Sequence, residues 1–382
     1  METHSDIRDA VRALCAQFSP EYHRRIDRER GYPEAFVDAL TQAGWLAAMI
    51  PERYGGSGLG LSQACAIMEE INRSGANAGA CHGQMYNMGT LLRHGSEAQK
   101  ARWLPQIADG SLRLQSMAVT EPGAGTDTTR IRTTARREGD RWIVDGQKVW
   151  TSRVQHSDLM ILLARTAPRD AGPKPSAGMT VFLVDLRDAI GRGLTVKPIE
   201  NMVNHETNEL FFDGLEVPHE NLIGTEGQGF RHILDGLNAE RTLIAAECIG
   251  DGRWFVDRAT EYATDREVFG RPIGQNQGVA FPLAEAHIEV EVADLMTRRA
   301  AALFDAGDPC GPEANMAKYL AAKASWEAAN ACVQTFGGYG FATDYDVERK
   351  FRETRLYQVA PISTNLILSY MAEHVLGLPR SF

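Results

Sequence analysis

The sequence predicts an α+β multidomain chain with helices at both ends and strands between them. Three observations carry this. Apolar residues recur at helical spacing up to about residue 110. Near residue 112 the period changes to strand-like alternation, which lasts to about Gly224. After Gly227 long amphipathic runs return with short connections, the pattern of a helical bundle. The expected parts are an N-terminal α-helical domain at 1–111, a middle β-barrel or sandwich domain at 112–225, and a C-terminal four-helix-bundle domain at 226–382. There is no βαβ alternation and no GxGxxG, which argues against a nicotinamide-binding doubly wound sheet.

The N-terminal helices are read as follows. Ser5-Asp6 is expected to cap a first helix carrying Ile7, Val11, Leu14 and Phe18 on one face. Residues 32–49 and 61–73 show the same spacing. The stretch 54–60 between them is too rich in glycine for a helix. Ser96 is placed to cap a helix containing Trp103 and Leu104.

The middle region opens on an alternating run at 112–117. Strands are expected at 131–137 and 141–149, paired through a turn at Glu138-Gly139-Asp140. Further strands are expected at 159–164, 179–186, 194–199 and 209–212, with a Pro/Gly-rich surface loop at 167–178. In the last region helices are expected at 230–263, 281–306, 313–336, 346–357 and 364–376. Gly307 and Gly337 act as stop signals.

Composition narrows the partners. The chain has 382 residues and a formal net charge of −10, which argues against nucleic acid. An anionic substrate would need local basic residues, because the global field repels it. Six scattered cysteines form no CxxC or His/Cys cluster with metal-ligand spacing, so no metal site is expected. They are read as small buried residues in a reducing compartment. The start Met1-Glu2-Thr3-His4 is polar and acidic, unlike a signal peptide. No apolar run reaches transmembrane length. The expectation is a cytoplasmic protein with no stable membrane insertion.

The stretch Ala118-Val119-Thr120-Glu121-Pro122-Gly123-Ala124-Gly125-Thr126-Asp127 turns sharply after the first alternating run. Pro122 fixes φ, and Gly123 and Gly125 let the backbone pass close to something flat or large. Taken alone it is an ordinary turn. It resembles, however, the flavin-binding signature of the acyl-CoA dehydrogenase family, and further matches fall in that family's order. They are 51–60 (Pro-Glu-Arg-Tyr-Gly-Gly-Ser-Gly-Leu-Gly), Lys148-Val149-Trp150-Thr151-Ser152, Arg266-Glu267-Val268-Phe269-Gly270, and 334–340 (Gln-Thr-Phe-Gly-Gly-Tyr-Gly). The resemblance spans essentially the whole chain.

The resemblance implies FAD as cofactor. It implies that Trp150 packs on the isoalloxazine ring, that Ser152 bonds near flavin N5, and that Val119 and Thr120 contact the pyrimidine side. Thr126 takes a position near both flavin and substrate. Arg266 is implied at the FAD pyrophosphate, where a guanidinium suits bidentate contact, with Phe269 and Gln277 around the adenosine part. Gln334, Gly337 and Gly338 match a loop that reaches a neighbouring subunit's FAD. Met117, Ser363 and Asn365 complete the implied cofactor contacts. A cofactor shared in this way implies a homotetramer, a dimer of dimers.

The base is the most informative position. Many members carry a catalytic glutamate in a C-terminal Tyr-Glu-Gly-Thr segment, and the matching residue here is Pro361. A minority, including the isovaleryl- and long-chain-type enzymes, carry the base on a helix resembling Gly236-Leu237-Asn238-Ala239-Glu240-Arg241. Glu240 takes the base position, and Asn238 replaces a common aspartate. Abstracting a proton next to a carbonyl needs a carboxylate near the α-carbon, and desolvation raises its basicity. Proline also lacks the N–H that most members use at that position to stabilise the thioester oxygen. Ile362 N–H or a shifted backbone is left as donor.

Asn238, Arg241, His205 and Thr126 are the implied substrate contacts. His205 and Val203 replace a serine and an arginine common near the CoA moiety. His205 is expected to be a loop or ligand-contact residue, far from the flavin. His82 and Gln84 lie where the family lines its acyl pocket, and His82 is read as a structural histidine. The implied reaction is oxidation of an acyl-CoA to a trans-2-enoyl-CoA, with electrons passing to an electron-transfer flavoprotein. Two other readings use the same residues: a CoA-thioester desulfinase or flavin monooxygenase on this scaffold, and an acyl-CoA- or flavin-binding protein without turnover. A carboxylate at 240 argues against the desulfinase. The acyl group is not legible.

Overall fold

The computed structural model describes residues 4–380. The ends of the first and last expected domains, 1–3 and 381–382, lie outside the described residues, as does most of the start read above as unlike a signal peptide. Helices come first: α1 (Ser5–Cys15), α2 (Pro20–Arg28), α3 (Glu34–Gln42), α4 (Leu61–Arg73), α5 (Gly79–His94) and α6 (Glu97–Ala108). Strands follow: β1 (Ser116–Ala118), β2 (Thr134–Glu138), β3 (Arg141–Ser152), β4 (Leu159–Arg165) and β5 (Met179–Asp185). After the one-turn helix α7 (Leu186–Ala189) come β6 (Leu194–Pro198), β7 (Thr207–Pro218) and β8 (Leu222–Ile223). Helices return with α8 (Gly229–Leu234) and α9 (Leu237–Asp265). A short hairpin of β9 (Glu267–Val268) and β10 (Arg271–Pro272) precedes α10 (Gln277–Asp305), α11 (Gly311–Phe336), α12 (Val347–Leu356) and α13 (Thr364–Tyr370).

The chain gathers into two compact units. One holds residues up to Glu29, Gly60–Ala78, and residues from Asn238 onward; the other holds Arg30–Leu59 and Gly79–Leu237.

The second unit is built on one mixed sheet in the order β6-β7-β3-β2-β4-β5-β8, with β1 parallel to β4. The turn at Gly139, with φ 61°, joins β2 to β3 as a hairpin. Alternation along β4 divides two cores. Ile161 and Leu163 face a cluster with Met88, Leu91, Trp103 and Leu104 of α5 and α6. Met160 and Leu162 face a second cluster with Trp142, Val144, Phe182, Leu210 and Phe212, so the sheet curls around its own side chains. Gln99 and Ser96 form the capping box that opens α6.

In the first unit α9, α10 and α11 pack through small residues, among them Ala245, Ala293, Ala317 and Ala321. Trp254, Phe255, Leu283, Phe336 and Val347 fill the neighbouring layer. Gly307 and Gly337 both adopt positive φ where their helices end.

Several expectations need correction. Ser5 does not cap α1: His4 holds the cap position with positive φ and Ser5 is already helical. The helix expected at 32–49 stops at Gln42, because Gly44 turns left-handed. Of the run 112–117 only Ser116 and Met117 are strand, at the start of β1. The helix expected at 230–263 breaks at Asp235–Gly236, and β7 runs well beyond 209–212. The last α-helix ends at Tyr370 and continues as one π turn.

Candidate functional site

In the second unit the residues of the flavin-like signature meet along the ends of β1 and β3. Lys148 enters the sheet with a fully buried side chain. Its Nζ donates to Val119 O at 2.8 Å and pairs with Glu121 Oε1 at 2.9 Å. Glu121 also accepts from Arg132 N at 2.6 Å and Thr133 N at 2.9 Å. Burial pushes the Lys148 ammonium down to about 8, against the pull of Glu121. Burial acts to raise Glu121, but Lys148 and the two backbone donors outweigh it and hold the carboxyl below its ordinary range. Val149 N donates to Thr120 O at 2.9 Å, so the signature segment is stitched to β3.

The register between β3 and β7 shifts between Lys148 and Thr151. A bulge of this kind re-aims side chains. Trp150 sits in it with φ 61°, a conformation costly for an aromatic residue, and its side chain stands 60% exposed. Ser152 follows. Its hydroxyl accepts from Asn204 Nδ2 at 2.8 Å, and its carbonyl accepts from Ser116 Oγ at 3.0 Å. Met117, Val119, Thr120, Trp150 and Ser152 therefore converge, with Met117, Val119, Thr120 and Ser152 half-buried and Thr126 exposed. A Cβ at Gly123 or Gly125 would meet nothing within 4 Å, so the turn faces open space. An aromatic held out from a bulge beside an open backbone turn fits a flat ring system.

The loop carrying His205 comes closer to this group than expected, through the bond of Asn204 to Ser152. His205 itself is half-buried. His82 and Gln84 are buried on α5, where Gln84 donates to Leu46 O and accepts from Leu114 N, both at 3.4 Å.

In the first unit the predicted residues fall at two separate places. Glu240 lies in the first turn of α9, 6% exposed. Beside it Arg241 Nη1 donates to Asn238 Oδ1 at 3.1 Å, and burial lowers the Arg241 guanidinium while Glu240 opposes that. Ser363 caps α13, its Oγ accepting from Leu366 N, and Asn365 is exposed.

Arg266 stands just past the C-terminal end of α9, 26 residues after Glu240 and so roughly 39 Å away at 1.5 Å per residue. It opens the β9–β10 hairpin, whose turn residues Phe269 and Gly270 both have positive φ. Phe269 is wholly exposed, and Gln277 begins α10. Tyr262 stacks on Phe336 at 4.1 Å, which ties this end of α9 to the end of α11. Arg266, Gln277, Gln334, Gly337 and Gly338 thus share one exposed end of the bundle, far from Glu240.

Lys148, Glu121 and Asn204 were not singled out from the sequence. A lysine on the inward register of a strand is the signal that could have found the first pair. All six cysteines are buried and none is in a disulfide, and no metal-holding group of His, Cys, Asp or Glu occurs among the described residues. Among the described residues no helix is long and apolar enough to cross a membrane.

Comparison with known proteins agrees with this arrangement. Residues 1–111, 116–215 and 227–376 match the N-terminal, middle and C-terminal domains of acyl-CoA dehydrogenase. The acyl-CoA dehydrogenase FadE12 of Mycobacterium tuberculosis is 38% identical over 100% of this chain and 98% of its own. An acyl-CoA dehydrogenase of Bacillus subtilis is 34% identical over 92% of each chain. The solved structure of a glutaryl-coenzyme A dehydrogenase with glutaryl-CoA superposes with a TM-score of 0.92 and 30% identity, covering 100% of this chain and 97% of the other.

Proposed function

As the chain belongs to the acyl-CoA dehydrogenase family, FAD-dependent oxidoreductases of three-domain architecture, we propose that it oxidises an acyl-CoA thioester to a trans-2-enoyl-CoA with Glu240 as the base. The observation that carries this reading is the burial of Glu240 at the start of α9 together with proline at position 361. Proline can neither accept a proton nor donate an N–H. Glu240 is sheltered from water, as a carboxylate that removes a weakly acidic α-proton should be.

Bound FAD supplies the acceptor for the β-hydride. Trp150, Val119, Thr120 and Ser152 are the residues that would hold its ring, with Met117 and Thr126 beside them. Arg241 and Asn238 orient the start of α9, and with His205 and Thr126 they are our candidates for substrate contact. Ser363 and Asn365 complete the set at the head of α13. We take the domain boundaries at 1–111, 112–225 and 226–382.

Two observations support an oligomer. The exposed end with Arg266, Phe269, Gln277, Gln334, Gly337 and Gly338 stands roughly 39 Å along α9 from Glu240. Groups so far apart serve different active sites, which favours a cofactor shared between subunits. In addition, α10 exposes Phe281, Ile288, Val292 and Leu295 at helical spacing, an apolar stripe that needs a partner. The assembly we infer is a homotetramer, a dimer of dimers. The electron acceptor we infer is an electron-transfer flavoprotein, and the compartment is the cytoplasm.

The test is anaerobic mixing with a panel of acyl-CoAs while following the flavin absorbance. A dehydrogenase is bleached by its substrate. Purified protein that binds FAD and is bleached by no acyl-CoA would instead support other chemistry on the same scaffold.

A further inference from the structure

Lys318 lies in the first third of α11 among Ala317, Ala321 and Ala322, and its side chain is wholly buried. A buried ammonium is ordinarily matched by a carboxylate. Among the described residues no carboxylate lies within ion-pair distance of this one. Its Nζ donates instead to two backbone carbonyls, Tyr357 O at 2.7 Å and Ile362 O at 2.9 Å.

Those carbonyls bracket the 357–362 loop that contains Pro361. The loop is held from other sides too. Tyr357 OH donates to Glu247 Oε2 at 2.9 Å and accepts from Asn72 Nδ2 at 3.3 Å. Gln358 Nε2 donates to Ala322 O. With no donor at Pro361, the direction of the N–H groups that follow depends on how Ile362 is held, and Lys318 holds it.

Lys318 also acts by charge. Burial lowers its proton affinity, Cys248 and Glu240 act to raise it, and Arg241 acts to lower it. Arg241 on its own helix and Lys318 on α11 both act on Glu240, while Tyr370 on α13 acts on Arg241 and Cys248 on α9 acts on Lys318. Tyr357, in the loop after α12, faces Glu247 and Cys248.

We propose that Lys318 is a positioning residue for proton abstraction: it fixes the 357–362 loop through Tyr357 O and Ile362 O and supplies positive charge that favours ionised Glu240. This rests on Glu240 being the base. Removing a nearby positive charge makes a carboxylate harder to ionise. The acid limb of the rate profile then moves to higher pH.

The experiment compares Lys318→Met, Lys318→Gln and Lys318→Arg by anaerobic flavin-reduction rate from acid to neutral pH, using the best acyl-CoA of the panel and samples matched for FAD content. The expected result is a loss of at least about tenfold for methionine, consistent with misplacing a general base. Glutamine retains more rate, because its amide still donates to the carbonyls. In both, the acid limb moves to higher pH, and arginine returns it toward wild type. If Lys318→Met does not fold, the glutamine and arginine variants decide. A wild-type acid limb in Lys318→Gln, or an arginine variant displaced as far as glutamine, overturns the proposal. Glu240→Gln measured alongside separates the failures. If it stays active, the base assignment fails. If it is inactive while the Lys318 variants keep the wild-type profile, only the role of Lys318 fails.

Discussion

Lys148 and Glu121 form a buried ion pair, 2.9 Å from Nζ to Oε1, and the same ammonium holds Val119 O. The pair fixes the signature segment against β3, so its loss should affect both folding and cofactor retention. Replacing one partner leaves the other charged and buried, which typically costs about 3–5 kcal/mol. We expect Lys148→Met and Glu121→Gln each to lower the unfolding free energy by that order and to lose FAD, as read by thermal unfolding and by the flavin-to-protein absorbance ratio. The sign with pH follows from Glu121. Its folded-state value lies below the ordinary 4.5. The stability it contributes is therefore present above about 4.5 and lost as pH falls through the lowered value. Wild-type stability should drop across that acid window, and the drop should shrink in Glu121→Gln.

Trp150 offers the opposite case. Its ring is largely exposed and its backbone is held at positive φ. Trp150→Ala should change thermal stability of the FAD-free protein little, within about 0.5 kcal/mol, while FAD occupancy falls. A large loss of stability without FAD would mean that the ring serves the fold.

The apolar stripe on α10 gives a test of assembly. Ile288→Glu with Leu295→Glu places two carboxylates on it. Light scattering should show the proposed tetramer divided into smaller species, with FAD content reduced if Arg266 and the 334–340 loop serve a neighbour's cofactor as proposed. Wild-type mass and full FAD content would contradict that use of the stripe.

How much of this was legible in the sequence depends on burial. Leu61–Arg73 was read with its bounds intact, and the Ser96 cap was correct, because both carry local signals: helical spacing and a Ser-x-x-Gln box. α5 was missed. It is buried nearly all round, so it has no polar face to set a period, and Gly79, Gly83 and Gly89 lower its intrinsic helix propensity. β7 was read only at its apolar half, since Asp213 and Gly214 break the alternation that the structure continues. Trp150 was found through resemblance, but the bulge that exposes it depends on the register with β7, which no local pattern specifies. Lys318 hides in an alanine-rich helix, where only the loop it holds gives it meaning.

In the proposed reaction Glu240 takes the α-proton. Glu240→Gln keeps the size of the side chain and removes the basic oxygen. The decisive measurement is its anaerobic flavin-reduction rate with the best acyl-CoA of the panel. The expected variant retains FAD and binds acyl-CoA but is reduced about 10²–10⁴-fold more slowly, the usual contribution of a general base. A rate within a few-fold of wild type would contradict it and assign the proton to another residue.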